Sequence, residues 1–227
     1  MNPTPRVGFR IRNRWQRPTR DVLTAFAAAS SAQVADAMHR FGAMDTGIRP
    51  VWASPRVTGA AITVWARSAD NLMMHKALSL AEAGDVLVVN TQGNVTNAGF
   101  GELMAAAAVR VGLAAVVVDG VVRDASALER LALPVYARGL NPNGCDKVGP
   151  GEIGSTIACG GVAVRSGDIV IADEDGVTVV PLDDADEVLA AANAAVERET
   201  TRLAAIERGE LFNPSIDPAL REAKVIA

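Results

Sequence analysis

Gly99-Phe100-Gly101-Glu102-Leu103-Met104, followed shortly by Asp119-Gly120-Val121-Val122-Arg123-Asp124, carries the reading of this chain. The first stretch is a glycine turn that opens onto a helix: Leu103 to Val111 is a run of good helix formers and small apolar residues, and Gly112 stands where a C-terminal cap belongs. Leu113 to Val118 reads as a buried strand. A helix from Glu102 to Val111 runs about 15 Å from its start, and a strand of roughly 20 Å brings the chain back. The end of the strand therefore lies beside the start of the helix, where first-turn N–H groups face Arg123 and Asp124. An anion fits between the amides and the guanidinium, and a hard cation fits on the carboxylate. Each piece also has a plain structural reading. Glu102 is a favourable partner for the helix dipole, and Arg123-Asp124 is a solvated turn with Asp124 as N-cap of a helix from Ala125 to Leu131. The geometry that brings both to one edge of a sheet, where open α/β folds bind ligands, favours the site.

The chain has 227 residues, of which 49% are hydrophobic and 21% charged, enough for one well-buried domain rather than an equal split into two. Its formal charge of −4 offers no basic stripe for nucleic acid apart from Arg6, Arg10, Arg12, Arg14, Arg17 and Arg20. That cluster, interrupted by Pro3, Pro5 and Pro18, is expected on a tail or against a neighbouring subunit. No apolar segment follows it to make a signal peptide, and no apolar run approaches the roughly 20 residues that span a bilayer. A soluble cytoplasmic protein, with a small-molecule partner and no nucleic-acid or membrane partner, is expected. Cys145 and Cys159 have no partner at close spacing and read as free buried thiols, and His39 and His75 are too few for a histidine-built metal centre. Any metal must rest on oxygen ligands, which favours magnesium, manganese or calcium over zinc.

In chain order, Thr19 to Phe41 reads as two short helices or one kinked one, and Ala60 to Ala66 as a strand. Asp70-Asn71 opens a helix through Leu80 that Gly84 closes, and Asp85 to Asn90 is a strongly apolar strand. His75 falls among Met73, Met74 and Leu78 and reads as packed. Strand and helix alternate on to Pro134–Arg138, which implies parallel pairing. Gly149-Pro150-Gly151 is a break, after which Ser155–Cys159, Val162–Val164, Asp168–Ala172 and Val177–Val180 read as short strands with tight turns at Gly160-Gly161 and Asp175-Gly176. Asp183 to Arg208 reads as one long helix, of the terminal kind that often docks on a neighbour. The expected division is an extension at 1–18, one α/β domain at 19–212 and a tail at 213–227.

A further set of motifs carries a resemblance. Gln33-Val34-Ala35-Asp36-Ala37, Asp70-Asn71-Leu72, Gly84-Asp85-Val86-Leu87-Val88-Val89, Gly101-Glu102-Leu103-Met104, Asp119 to Asp124, Pro134-Val135-Tyr136-Ala137-Arg138-Gly139 and Gly167-Asp168 through Asp175-Gly176-Val177 are similar to the RraA-like family. That family includes metal-dependent 4-hydroxy-4-methyl-2-oxoglutarate aldolases and the regulator of ribonuclease E activity A. The resemblance implies an αββα sandwich like that of phosphohistidine swivelling domains, assembled as a homotrimer or hexamer with sites at subunit boundaries. Carried over, Gly101, Glu102, Leu103, Met104 and Arg123 become substrate contacts for the pyruvate part, and Asp124 becomes the ligand of a divalent cation, Mg2+ or Mn2+.

The chemistry implied is a retro-aldol cleavage of a 4-hydroxy-2-oxo acid, which leaves electrons on pyruvate as an enolate that a cation and Arg123 stabilise. Decarboxylation of oxaloacetate passes through the same enolate. Glu102 is expected to orient the water that acts as base. No Schiff-base lysine stands at this turn, with Lys76 and Lys147 expected elsewhere. The family's aldolases draw a further carboxylate from the C-terminal helix of an adjacent subunit, and Glu199, in Arg198-Glu199-Thr200-Thr201-Arg202, is the candidate. The alternative is a non-catalytic regulator that binds an RNA-processing enzyme, because one fold hosts both functions. A third reading, methyl transfer to a quinone, lacks a glycine-rich nucleotide loop to support it.

Overall fold

A computed structural model describes residues 6–226. Its frame is four parallel strands, β2 (Val57–Ala66), β3 (Asp85–Asn94), β4 (Ala115–Val122) and β5 (Val135–Leu140). Between them run the helices α3 (Leu72–Leu78), α4 (Glu102–Val111) and α5 (Ala125–Arg130). The short β1 (Arg49–Pro50) is antiparallel to β5 at one edge. At the other side β9 (Ile169–Asp173) pairs with the start of β2, β10 (Gly176–Val180) pairs with β9, and β6 (Gly151–Ile153) pairs with the end of β2. These eight strands form one mixed sheet, and β7 (Ile157–Cys159) with β8 (Val162–Val164) forms a separate hairpin. Two helices, α1 (Arg20–Phe26) and α2 (Ser31–Ala37), precede the sheet, while α6 (Ala185–Glu207) and α7 (Ile216–Glu222) follow it.

The near-continuous valines of β3 and β4 are what a parallel strand covered on both faces requires. Leu87, Val89, Val116 and Val118 pack under α3, α4 and α5 with Met74, Ala105 and Leu128. Their neighbours Val86, Val88, Ala115 and Val117 face the opposite way, onto Ile157, Val164, Val170 and Val179. The outer face of β9 carries Ile169 and Ile171, which pack with Phe26 of α1, Val34 of α2, and Val188 and Ala192 of α6. Three apolar layers in a mixed α/β single domain follow from this period-two alternation.

Several boundaries differ from the expectation, each for a local reason. The helix that Asp70-Asn71 opens, with Asn71 as N-cap, ends at Leu78 rather than Leu80, with Ser79 as its C-cap; Asp70 itself stays in the turn, accepting from the amides of Leu72, Val148 and Gly149. The strand ending at Val118 continues to Val122, so Asp119 to Val122 belong to β4. Gly151 is the first residue of β6 rather than part of a break. The expected tail contains α7, a short helix that buries no residue.

The arginine cluster shows the largest departure. It was expected on a free tail or a neighbour; instead, its described part packs on its own chain. Arg10 and Arg12 exchange backbone hydrogen bonds with Ile153 of β6, Arg12 pairs with buried Glu152 at 3.2 Å, and Arg17 makes a two-pronged contact to Asp85 at 3.1 and 2.9 Å. Pro3 and Pro5 lie outside the described residues. Among the described residues no helix is long and apolar enough to cross a membrane.

Candidate active site

The proximity expected from helix and strand lengths has a hydrogen-bonded basis. Just before α4 the chain runs parallel to the end of β4, with Phe100 bridging to Val122, the Gly99 amide donating to Val121 O at 3.1 Å and the Arg123 amide donating to Phe100 O at 3.0 Å. Phe100 is 1% exposed and anchors this seam in the core under α4. Truncating such a ring to Ala costs about 3–5 kcal/mol.

Asp124 does not cap its own helix. Its backbone is left-handed at φ 62°, a conformation Asp tolerates, and its Oδ2 accepts from the Glu102 amide at 2.9 Å, capping α4 instead. Gly101 is required by this close approach, since a Cβ there would stand 2.6 Å from Asp124 Oδ2. One first-turn amide of α4 is therefore satisfied by Asp124, while those of Leu103 and Met104 have no hydrogen-bond partner among the described residues.

A cavity of about 280 Å³ opens at this junction, near the lower end of the roughly 300–1,000 Å³ common for ligand sites. It is lined by Gly101, Glu102, Leu103, Met104 and Arg123, by Asn71 and His75, and by Cys145 and Lys147 from the loop after β5. Leu103 is 84% exposed, whereas Met104 is buried and presents little besides its amide. The Glu102 carboxylate lines the cavity and pairs with Arg130 of α5 at 3.3 Å. Asp124 faces an adjoining cleft of about 350 Å³ together with Leu140, Asn141 and Pro142, and Arg123 lines both spaces. The Arg123 guanidinium lies 3.5 Å from Asp124 Oδ2.

Lys147 was expected away from this turn and His75 packed in its helix, but both line the cavity. His75 is exposed rather than packed, and its pKa is lowered by partial burial and by the charge of Lys147. Asp70 brings the loop there. Buried just before Asn71, it accepts from the Val148 and Gly149 amides at 2.8 Å, while the Asp146 amide donates to Ala69 O. Cys145 is half-buried in the wall, not fully buried as expected, and burial beside Asp70 and Asp146 raises its thiol pKa. Cys159 is buried in the core as expected, its pKa raised chiefly by burial. The loop at 143–149 reaches the cavity through its contacts with Asp70 and Asn71, which spacing along the chain does not report.

Glu199 does not join this cavity within the chain. It sits on the exposed side of α6, where Gln33 Nε2 donates to its Oε2 at 2.5 Å.

The donor set can be tested against a divalent cation. Among the described residues no group of three or more His, Cys, Asp or Glu side chains is placed to hold a metal ion. A zinc-type cage does not fit that arrangement. A magnesium or manganese ion does, since such ions are commonly held by one or two carboxylates with water and substrate oxygens completing the shell, and Asp124 faces an open cleft.

Fold and site together define a mixed α/β protein with a small pocket, lined by Arg123, Lys147 and the start of α4, at the carboxyl ends of parallel strands. The chain belongs to the RraA-like family, whose model, described as Aldolase/RraA, matches residues 31–179. A Halalkalibacterium halodurans protein named "Putative 4-hydroxy-4-methyl-2-oxoglutarate aldolase" is 37% identical over 169 residues, covering 74% of this chain and 80% of that one. Streptomyces coelicolor RraAS2, described as an unusual member of the RNase ES inhibitor RraA protein family, is similar in structure, with a TM-score of 0.75 and 29% identity over 83% of this chain and 99% of that one. An uncharacterized Pseudomonas syringae protein shares the fold, with a TM-score of 0.78 and 24% identity over 86% of this chain and 96% of that one.

Proposed function

We propose that this chain is a divalent-metal-dependent class II aldolase that cleaves 4-hydroxy-2-oxo acids such as 4-hydroxy-4-methyl-2-oxoglutarate to pyruvate, and that it decarboxylates oxaloacetate at the same site. The observation that supports this reading is the single junction at which Asp124 caps α4 while Arg123 and the Leu103 and Met104 amides face one cavity. A protein that only bound another macromolecule would have no need of this convergence.

The residues divide the work. The planar Arg123 fork and the α4 amides hold the carboxylate of the pyruvate part and offset charge as it develops on the 2-oxo oxygen. Asp124 would hold the cation, whose contribution when bound is Lewis-acid stabilisation of that same charge. Glu102 orients the water that removes the proton of the 4-hydroxyl. The C3–C4 bond then breaks, its electron pair passes into the enolate of pyruvate, and the former hydroxyl carbon leaves as a carbonyl; protonation at C3 gives pyruvate. For 4-hydroxy-4-methyl-2-oxoglutarate both products are pyruvate. With oxaloacetate the bond to the departing carboxylate breaks instead, and the same enolate forms.

The test is pyruvate release by purified protein from 4-hydroxy-4-methyl-2-oxoglutarate and oxaloacetate, with magnesium and with excess chelator. Asp124→Asn keeps an oxygen to cap Glu102 but removes the charge, so it should fold normally and lose at least about a hundredfold in rate. Turnover that survives either chelator or this variant rejects the metal-dependent reading. The similarity to RraAS2 favours the alternative of a non-catalytic regulator, and absence of turnover on every oxo acid tried would support it.

A further inference from the structure

The arm at residues 6–12 lies before the region that the family model matches, residues 31–179, yet it is built into the sheet beside the cavity loop. Its backbone runs parallel to β6. The Gly151 amide donates to Gly8 O at 2.6 Å, the Ile153 amide to Arg10 O at 3.0 Å and the Arg12 amide to Ile153 O at 2.9 Å, and Ile11 bridges to Ile153. Glu152 fastens this pairing by accepting from the Gly8 amide and from Arg12. The register brings Phe9 against Gly149, where the loop after β5 passes into β6. Gly149 is buried with φ 74°, and a Cβ on it would stand 2.7 Å from Phe9 Cε1 and 3.6 Å from Leu72 Cδ2, so the Phe9 ring and Leu72 close on a bare Cα. The Gly149 amide, like that of Val148, is held by Asp70 at 2.8 Å. A short step earlier in the same loop, Cys145 and Lys147 line the cavity. The loop gains little burial of its own, since Val148 is 67% exposed. Segments with few buried apolar contacts open locally at low cost, so a ring packed on Gly149 has leverage over the whole loop.

We propose that the arm is a positioning element of the cavity. Phe9, held in register by the pairing of Gly8, Arg10 and Arg12 with β6, packs on Gly149 and fixes the loop that carries Cys145 and Lys147. Phe9 is not among the residues that line the cavity and acts through Gly149. The inference goes beyond the aldolase reading and does not depend on it, because the arm shapes the cavity for whichever small molecule enters.

The two cysteines make this testable without turnover. Cys145 is half-buried in the loop, whereas Cys159 is buried in the core. Alkylation by iodoacetamide at fixed pH, read site by site by mass spectrometry, should label Cys145 slowly in the wild type and leave Cys159 untouched. Phe9 is 43% exposed, so Phe9→Ala should fold, and it should speed the labelling of Cys145 at least about tenfold by easing local opening. Cys159 should stay protected, because global unfolding is what exposes it. Phe9→Leu keeps an apolar contact on Gly149 and should restore most of the slow rate. Labelling of Cys145 that is unchanged in Phe9→Ala, or that rises only in step with Cys159, overturns the inference. Faster labelling of Cys145 alone, reversed by Phe9→Leu, upholds it even in a protein that releases no pyruvate from any oxo acid, so this inference and the aldolase reading fail separately.

Discussion

Arg123 and Asp124 are adjacent in the chain yet open onto different spaces, Arg123 onto both cavities and Asp124 onto the outer cleft alone, so their variants should fail differently. Arg123→Lys keeps the charge but loses the two-pronged geometry. Metal binding, followed by titration calorimetry, should be nearly unchanged. By contrast, kcat/KM should fall by about one to three orders of magnitude, and pyruvate should weaken as a product inhibitor. Activity and pyruvate affinity both retained in Arg123→Lys would make the arginine a structural turn residue. These residues were legible in the sequence because a single helix and a single strand, of lengths that can be counted, set the distance between them. Asn71, His75 and Lys147 were not legible as a wall. Their meeting depends on Asp70 bonding to amides at 148 and 149, a contact between residues 78 and 79 positions apart. Asn71 showed only as a helix opener, and Lys147 as an isolated charge.

At the level of elements, the glycine-marked hairpins, the parallel strands and the long α6 were readable because each has a local period or turn residue. The N-terminal extension was not, since its partner β6 is three residues long and its apolar residues Phe9 and Ile11 alternate with arginines. The clamp is Glu152, 4% exposed, which accepts from the Gly8 amide at 2.9 Å, from Ser155 Oγ at 2.7 Å and from Arg12. Burial alone would raise its pKa, but these donors, with the charge of Arg10, leave it lowered. The sign follows: a carboxylate with a depressed folded pKa contributes stability in full above the ordinary glutamate value and loses it as pH falls through the depressed one. Glu152→Ala should therefore destabilise by about 1–3 kcal/mol near neutral pH, with the gap to wild type closing below the carboxylate range. Urea melts from neutral to acid pH would measure it; a gap that widened on acidification would contradict the assigned clamp. Asp168 has the opposite sign, because burial raises its pKa despite the Arg165 and Leu182 amides, so its contribution is lost as pH rises through that raised value.

For the whole molecule, α6 is asymmetric along its length. Its first part buries Val188, Ala192 and Ala195 against the body, whereas beyond Glu199 Leu203 is 61% exposed and Phe212, just after the helix, is 88% exposed. Exposed apolar surface of this kind marks association, and sedimentation should show at least three chains. Glu199 stands at the transition between the two parts, with Gln33 of its own chain as its hydrogen-bond partner and no place in the cavity of its own chain. Its proposed catalytic role therefore requires that it reach the Arg123 cavity of an adjacent copy, and a mixing experiment decides this. Arg123→Ala and Glu199→Gln should each be inactive alone if every site takes Arg123 from one chain and Glu199 from the next. In a ring of randomly mixed chains in equal amounts, about one quarter of sites receive both native residues, so co-expressed, co-purified mixed oligomers should recover about a quarter of wild-type activity. A single chain that used its own Glu199 could not regain activity in this way. Full activity in Glu199→Gln alone, or mixed oligomers that form but stay inactive, would return Glu199 to a purely structural contact with Gln33 that holds α6 on α2.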